Sequence, residues 1–331
     1  MDIHRSVLRL GAAAIVCALL FRLAGTQGLP GKIVDWINRP QTAAFLIYLE
    51  TGRDVRFSPA RQVFSPDYAP ESPAPMAQPE EPLPVFSASD AQGLEIYYAC
   101  DSRPDLEKAL ASPLAWDLTS PEPTVLILHT HTTESYTKGK ETYKETASWR
   151  TLDEGYNMLS IGDALGRLLA EQGITAVHDR QFHDYPSYNG SYNHAREAIR
   201  EALAEYPTIR LVLDLHRDAA DTGNGQLRPL VTLDGTPTAQ LMLVLGTGED
   251  GLNHPRWEEN LALAAKLHTL LERRAPGIMR PLLLRGQRFN QDLHPGALLV
   301  EVGAAGNSHA EALAAVRQLG LAIAALARGS G

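Results

Sequence analysis

Three short stretches of this chain place imidazole and carboxylate groups at the ends of apolar runs. The first, VLILHTHTTESY, carries His129, His131 and Glu134. In an extended segment, residues two apart point the same way, so His129 and His131 are expected to share a face. The second, LVLDLHRDAA, carries Asp214, His216, Arg217 and Asp218, and the third, GALLVEVGAAGN, carries Glu301. Imidazole and carboxylate together suit Zn2+, whose catalytic sites use three protein ligands and keep the fourth position for water. The metal lowers the pKa of that water to about 7 and polarises a carbonyl. A further carboxylate then moves a proton from the water to a leaving amine. Here the two His-bearing strand ends and Glu134 supply ligands, and Glu301 supplies the base. Asp214 is expected to orient a ligand imidazole. Arg217 is a salt-bridge partner or a clamp on substrate or oxyanion. His178, His183, His194, His254, His268, His294 and His309 are scattered and read as structural.

These residues need a scaffold that brings strand ends together. Apolar runs with strand character span Val125–His129, Ile174–His178, Arg210–Leu215, Leu241–Leu245 and Ala297–Val302. Helical periodicity separates them, at Met158–Gln172 (stopped by Gly173), Tyr192–Tyr206, Trp257–Arg273 and His309–Ala327. Strands alternating with helices predict an α/β fold, a mainly parallel sheet with helices on both faces. Ligands bind such sheets at the carboxyl ends of their strands. The stretch GTGEDG (246–251) matches G-x-G-x-x-G, but Asn253, His254 and Pro255 follow where a dinucleotide fingerprint needs a helix to open. It reads as a turn.

The 331 residues, 44% hydrophobic and 21% charged, suffice for one sizeable domain with appendages or two small ones. A net charge of -9 argues against a nucleic-acid partner. Cys17 lies in the first apolar stretch, leaving Cys100 alone, so neither a disulfide framework nor a cysteine-based zinc site is available. Leu10–Phe21 is apolar and flanked by Arg5, Arg9 and Arg22. Counted from Val7 to Ala24 with snorkelling arginines, it spans a bilayer. No A-x-A pattern follows, which favours an uncleaved anchor over a signal peptide. The rest of the chain is then exported, single-pass, outside the cytoplasmic membrane. Residues 59–92 are rich in Pro, Ser, Ala and Glu and read as an extended linker. The expected organisation is an anchor over 1–30, a juxtamembrane segment and linker over 31–93, and a catalytic domain over 94–331.

Several motifs resemble one known family. HTHTTESYT (129–137), YN..SIGDAL..LL...GI (156–174), HDYPSYNGSY (183–192), LDLHRDA (213–219) and FNQDLHPGALLVEVGAAGN (289–307) match, in order, the stage II sporulation protein P family of spore-forming Firmicutes. The resemblance covers about residue 94 to the C-terminus. It implies a zinc-dependent N-acetylmuramoyl-L-alanine amidase, with endopeptidase action on cross-linked stem peptides, that thins septal peptidoglycan during forespore engulfment. It implies a stage II sporulation protein D-like lytic transglycosylase and a stage II sporulation protein M-like membrane protein as partners. In the wider group of zinc amidases the ligands are a His after the first strand, a Glu, and a His after a later strand, with a Glu base on the last strand. His216 and Glu301 map directly. The first ligand is His129 or His131, with His131, further past the strand, preferred. The Glu is Glu134, inside the family motif, or Glu154, which precedes the Tyr156–Gly173 helix; Glu134 is preferred. His294 departs from the small residue usual in the family.

Overall fold

The structure, a computed structural model, describes residues 61–66, 84–114, 117–220 and 225–328. The N-terminal apolar run expected to form an anchor lies outside the described residues. In chain order the elements are β1 (Arg61–Phe64), α1 (Ala88–Gly93), β2 (Ile96–Ala99), α2 (Leu106–Ala111), β3 (Val125–Leu128), β4 (Glu145–Ala147), β5 (Arg150–Thr151), α3 (Met158–Glu171), β6 (Ala176–Asp179), α4 (Ser191–Glu205), β7 (Leu211–Asp218), β8 (Leu230–Leu233), β9 (Thr236–Ala239), β10 (Leu241–Gly246), α5 (Trp257–Arg274), β11 (Leu282–Arg285), β12 (Ala297–Ala304) and α6 (His309–Arg328).

Eight strands form one sheet in the order β1-β6-β3-β7-β12-β10-β11-β2. β6, β3, β7 and β12 are mutually parallel, as are β10, β11 and β2. The two blocks meet antiparallel at β12–β10, and β1 closes one edge antiparallel to β6. The sheet is therefore mixed, though most of its pairings are parallel. A parallel neighbour needs a crossover, usually a helix. The described chain between β7 and β10 is instead the β8–β9 hairpin, and β10 enters reversed.

Alternation along the strands builds two layers. Val125, Ile127, Leu211, Leu213, Leu215, Leu298 and Val300 join α3, α5 and α6 in the main core. Leu126, Leu128, Val177 and Val212 pack on the opposite face against Ala195, Ile199 and Ala202 of α4. Helix α3 starts at Asn157, whose side chain caps Leu159 N at 2.9 Å, and ends before Gly173, which takes φ 82°. Its packing is close: a Cβ on Gly320 of α6 would stand 2.5 Å from Leu168 Cδ2. The long, apolar α6 has the length and composition of a membrane span, but 61% of its apolar window is buried, so the core accounts for its apolarity.

Two pieces of the stretch read as linker belong to this fold. Strand β1 pairs with β6 and buries Phe64 completely, under Gly166 of α3. Burying one such ring contributes about 1.5–3 kcal/mol. Helix α1 is closed at its start by a capping box between Ser87 and Asp90. The GTGEDG segment is a turn, as expected: Gly248 and Gly251 take φ 78° and 89°, and the next helix opens only at Trp257.

Candidate active site

Strands β3, β7 and β12 lie side by side, and their carboxyl ends carry the chemistry. Asp214 and His216 share the parity of Val212, which faces α4. Glu301 has the parity of Leu299, on the same side, and is the Cα partner of His216 in the β7–β12 ladder. The chain leaves β3 at His129 and turns through residues 130–133. That turn separates the two histidines expected to face alike. His129 stays on the α3 side, where Nδ1 lies 3.0 Å from Leu215 O and Nε2 lies 2.8 Å from His178 Nε2. Both of its ring nitrogens are engaged, which leaves neither for an ion. His131 crosses to the α4 side, its ring edge-on to that of His216 with centroids 5.2 Å apart.

Glu134 completes the group. Its Oε2 lies 3.7 Å from His216 Nδ1 and accepts from Arg217 N at 3.2 Å, while Oε1 accepts from Arg150 Nη2 at 3.3 Å. On the far side of His216, Asp214 Oδ1 stands 2.9 Å from Nε2, in ionic contact but off the line of a directed hydrogen bond. Thr130 fixes that carboxylate through its backbone N–H (2.8 Å) and hydroxyl (2.6 Å). The Arg217 guanidinium does not point into the site. It donates to Ser135 O and Trp149 O, both at 3.0 Å, and lies 3.8 Å from Glu134. It holds the loop and the Glu134 carboxylate, the salt-bridge role rather than the substrate clamp. Glu154 is turned to Arg180, 2.7 Å away.

Charge in the site is unevenly held. Burial pushes His131 down to about 4, so its ring is neutral. Burial also acts to lower His216, but the Asp214 charge and contact outweigh it and raise the imidazole to about 9. Burial raises Asp214, yet His216 and Thr130 bring it down to about 2. Glu134 is lowered, the charges of Arg217 and His216 outweighing burial. Glu301 moves the other way: burial lifts it to about 8 against the pull of His216. Its Oε2 is buried without a partner, as is His131 Nδ1.

That donor set fits Zn2+ in kind. It offers two imidazoles, one carboxylate and a second carboxylate not tied up by protein. Two imidazoles on one tetrahedral ion, at 2.0–2.1 Å from nitrogen, hold their ring centroids about 5 Å apart, matching His131 and His216. Asp214 stands where a ligand histidine takes its supporting carboxylate. Among the described residues no three His, Cys, Asp or Glu side chains are drawn together as a formed metal group.

A family model described as Stage II sporulation protein P (SpoIIP) matches residues 75–324. The chain belongs to the stage II sporulation protein P family. It is 30% identical over 198 residues to Stage II sporulation protein P of Bacillus subtilis (strain 168), a match spanning 56% of this chain and 46% of that relative's length. It also superposes loosely on two solved structures. One is N-acetylmuramyl-L-alanine amidase Ami1 of Mycobacterium smegmatis (14% identity, 66% of this chain, 98% of that one, TM-score 0.36). The other is the apo form of Ami1 from Mycobacterium abscessus (13%, 60%, 97%, 0.34).

The sporulation protein P motifs are the segments that build this site. HTHTTESYT supplies the turn after β3, LDLHRDA the end of β7, and the last motif Glu301. HDYPSYNGSY supplies residues not singled out from sequence: Tyr188 stacks on His131, Tyr192 meets it edge-on, and Asp184 accepts from Thr133 and Arg150. Their presence in that motif was the available signal. Arg150 carried none, because its role arises from an isolated bridge with Glu134. In YN..SIGDAL, Asp163 accepts from His178 Nδ1 at 2.8 Å, and Gly162 leaves room for the His129–His178 contact.

Proposed function

We propose that this member of the stage II sporulation protein P family is a zinc-dependent peptidoglycan hydrolase. Its primary reaction is that of an N-acetylmuramoyl-L-alanine amidase, with endopeptidase action on stem peptides as a second activity. The observation that carries this reading is the grouping of His131, Glu134 and His216 beside a buried, unpartnered Glu301 carboxyl oxygen at the carboxyl ends of three strands. Family membership supports peptidoglycan as substrate and sporulation as the setting.

His131, Glu134 and His216 would hold the zinc. When bound, the ion supplies a Lewis acid that acidifies water and polarises the scissile carbonyl. Asp214 orients His216, and Arg150 and Arg217 hold the Glu134 carboxylate in place. Glu301 takes the proton from the attacking water and delivers it to the departing amine. Its lack of a protein partner leaves the carboxyl free for that shuttle, and a cation nearby draws its pKa down toward the ionised form a base needs.

The N-terminal apolar run supports a catalytic domain held outside the cytoplasmic membrane. The family supports a D-like transglycosylase and an M-like membrane protein as partners in septal thinning and engulfment. Mass spectrometry of peptidoglycan digested by the purified protein tests the reaction class. Glycan strands with free lactyl ends, released together with intact stem peptides, are expected. Products cut only within the stem peptides would overturn the amidase assignment.

A further inference from the structure

Tyr188 is 56% exposed, so core packing does not explain its place. Its ring lies flat on His131, with centroids 4.6 Å apart and planes 14° apart. Its hydroxyl is 3.1 Å from His131 Nε2. The Arg150 guanidinium stacks on the same phenol ring, 4.9 Å from its centroid. Arg150 is itself anchored to Asp184 at 2.6 Å and to Glu134 at 3.3 Å. One exposed ring thus touches one candidate ligand directly and reaches a second through a single arginine. On its other edges His131 meets Tyr192 and His216, both nearly perpendicular to it.

We infer that Tyr188 is a positioning residue for the metal: its ring, stacked flat on His131, fixes the plane in which the imidazole offers its unpartnered Nδ1 to the ion. A neutral imidazole has two ring nitrogens to satisfy. The phenol hydroxyl lies 3.1 Å from Nε2 across the face of the stacked ring, whereas Nδ1 is buried and has no partner. An unpaired buried polar atom costs about 1–3 kcal/mol, a cost that a metal at Nδ1 removes. Histidine ligands are generally held by a partner on the nitrogen that does not bind, and loss of such partners lowers metal affinity about 10–100-fold. Here the hold is the flat stack of a phenol, and that phenol in turn meets Arg150 through a cation–π contact.

The inference rests on the zinc-binding role of His131 proposed above, and the test separates the two. Full-length protein is stripped of metal, and Zn2+ affinity is measured by competition with a chromophoric chelator. The variants are Tyr188→Phe, Tyr188→Ala and His131→Ala. His131→Ala is expected to abolish tight binding. Tyr188→Ala is expected to weaken it about 10–100-fold, and Tyr188→Phe, which keeps the stack and loses the hydroxyl, by less. The melting temperature of metal-free Tyr188→Ala should match wild type, because the ring is exposed, and Tyr188→Phe serves if the alanine variant fails to fold. The absorption of bound Co2+ should change in both tyrosine variants. Wild-type affinity in both, with binding lost in His131→Ala, overturns the positioning role and leaves the ligand. Undiminished binding in His131→Ala removes the ligand and the positioning role together.

Discussion

His216 and Glu301 are Cα partners on the parallel strands β7 and β12, and both side chains leave the sheet on the α4 side. Neighbouring strands run about 4.8 Å apart, so an imidazole and a carboxyl group are held at one depth by backbone hydrogen bonds rather than by loop packing. Below His216 on the same strand, Asp214 grips the ring from the side away from Glu134. Replacing Asp214 by Asn keeps the shape and removes the charge. The expected result is zinc affinity lower by about 10–100-fold, read by calorimetric titration of metal-free protein. Unchanged affinity would remove Asp214 from the support of His216.

Arg217 follows His216 by one residue and points the opposite way chemically, into the loop that carries Glu134. It is buried, and it contacts Ser135 O, Trp149 O and Glu134. Truncating one partner of a buried ion pair costs about 3–5 kcal/mol because the other charge is left uncompensated. Arg217→Ala should lower the unfolding free energy by about that amount in urea denaturation. A loss of activity without loss of stability would instead favour direct contact with substrate.

Gly162 sits in the middle of α3, where glycine is normally unfavourable by about 1 kcal/mol relative to Ala. A Cβ there would stand 2.5 Å from His178 Nε2 and 2.6 Å from His129 Nε2. Gly162→Ala should therefore destabilise, by about 1–3 kcal/mol, despite the better helix propensity. A rise in melting temperature would show that the His129–His178 contact does not constrain this position.

Acid sensitivity follows from carboxylates whose partners are cations. Burial raises the pKa of Asp292, but hydrogen bonds of 2.8 and 2.6 Å from Arg196, with its charge, bring it below the ordinary 3.8. A carboxylate with a depressed folded pKa contributes stability that is present above the unfolded value, about 3.9, and lost as pH falls through the folded one. Stability should therefore drop as pH falls below about 4. Asp292→Asn should be less stable at neutral pH and show a shallower drop in that window. Parallel stability–pH curves for the two proteins would contradict the pairing.

The long elements were legible because their patterns are long. The helices at Met158, Tyr192, Trp257 and His309 and the strands at Val125, Leu241 and Ala297 agree with the structure within a few residues. Strand β1 was hidden because its four residues sit among prolines, and only long-range pairing with β6 makes them a strand. The reversal of β10 is likewise a matter of connection, not composition. The placement of His216 and Glu301 at neighbouring strand ends was readable from the apolar runs that carry them. The separation of His131 from His129 was not, because it depends on a turn whose hydroxyls bond to partners far along the chain, Thr130 to Asp214 and Thr133 to Asp184. Arg150 and Tyr188 were illegible for the same reason: each gains its role only from neighbours brought together by folding.

The central claim is that metal-dependent hydrolysis at this site needs Glu301 as its base. Peptide release from purified peptidoglycan by zinc-loaded wild-type protein and by Glu301→Gln, with metal content measured for both, tests it most directly. The expected result is equal folding, about one zinc per chain in each, and release reduced by at least about 100-fold in the variant. Release by Glu301→Gln at a rate near wild type would contradict the claim.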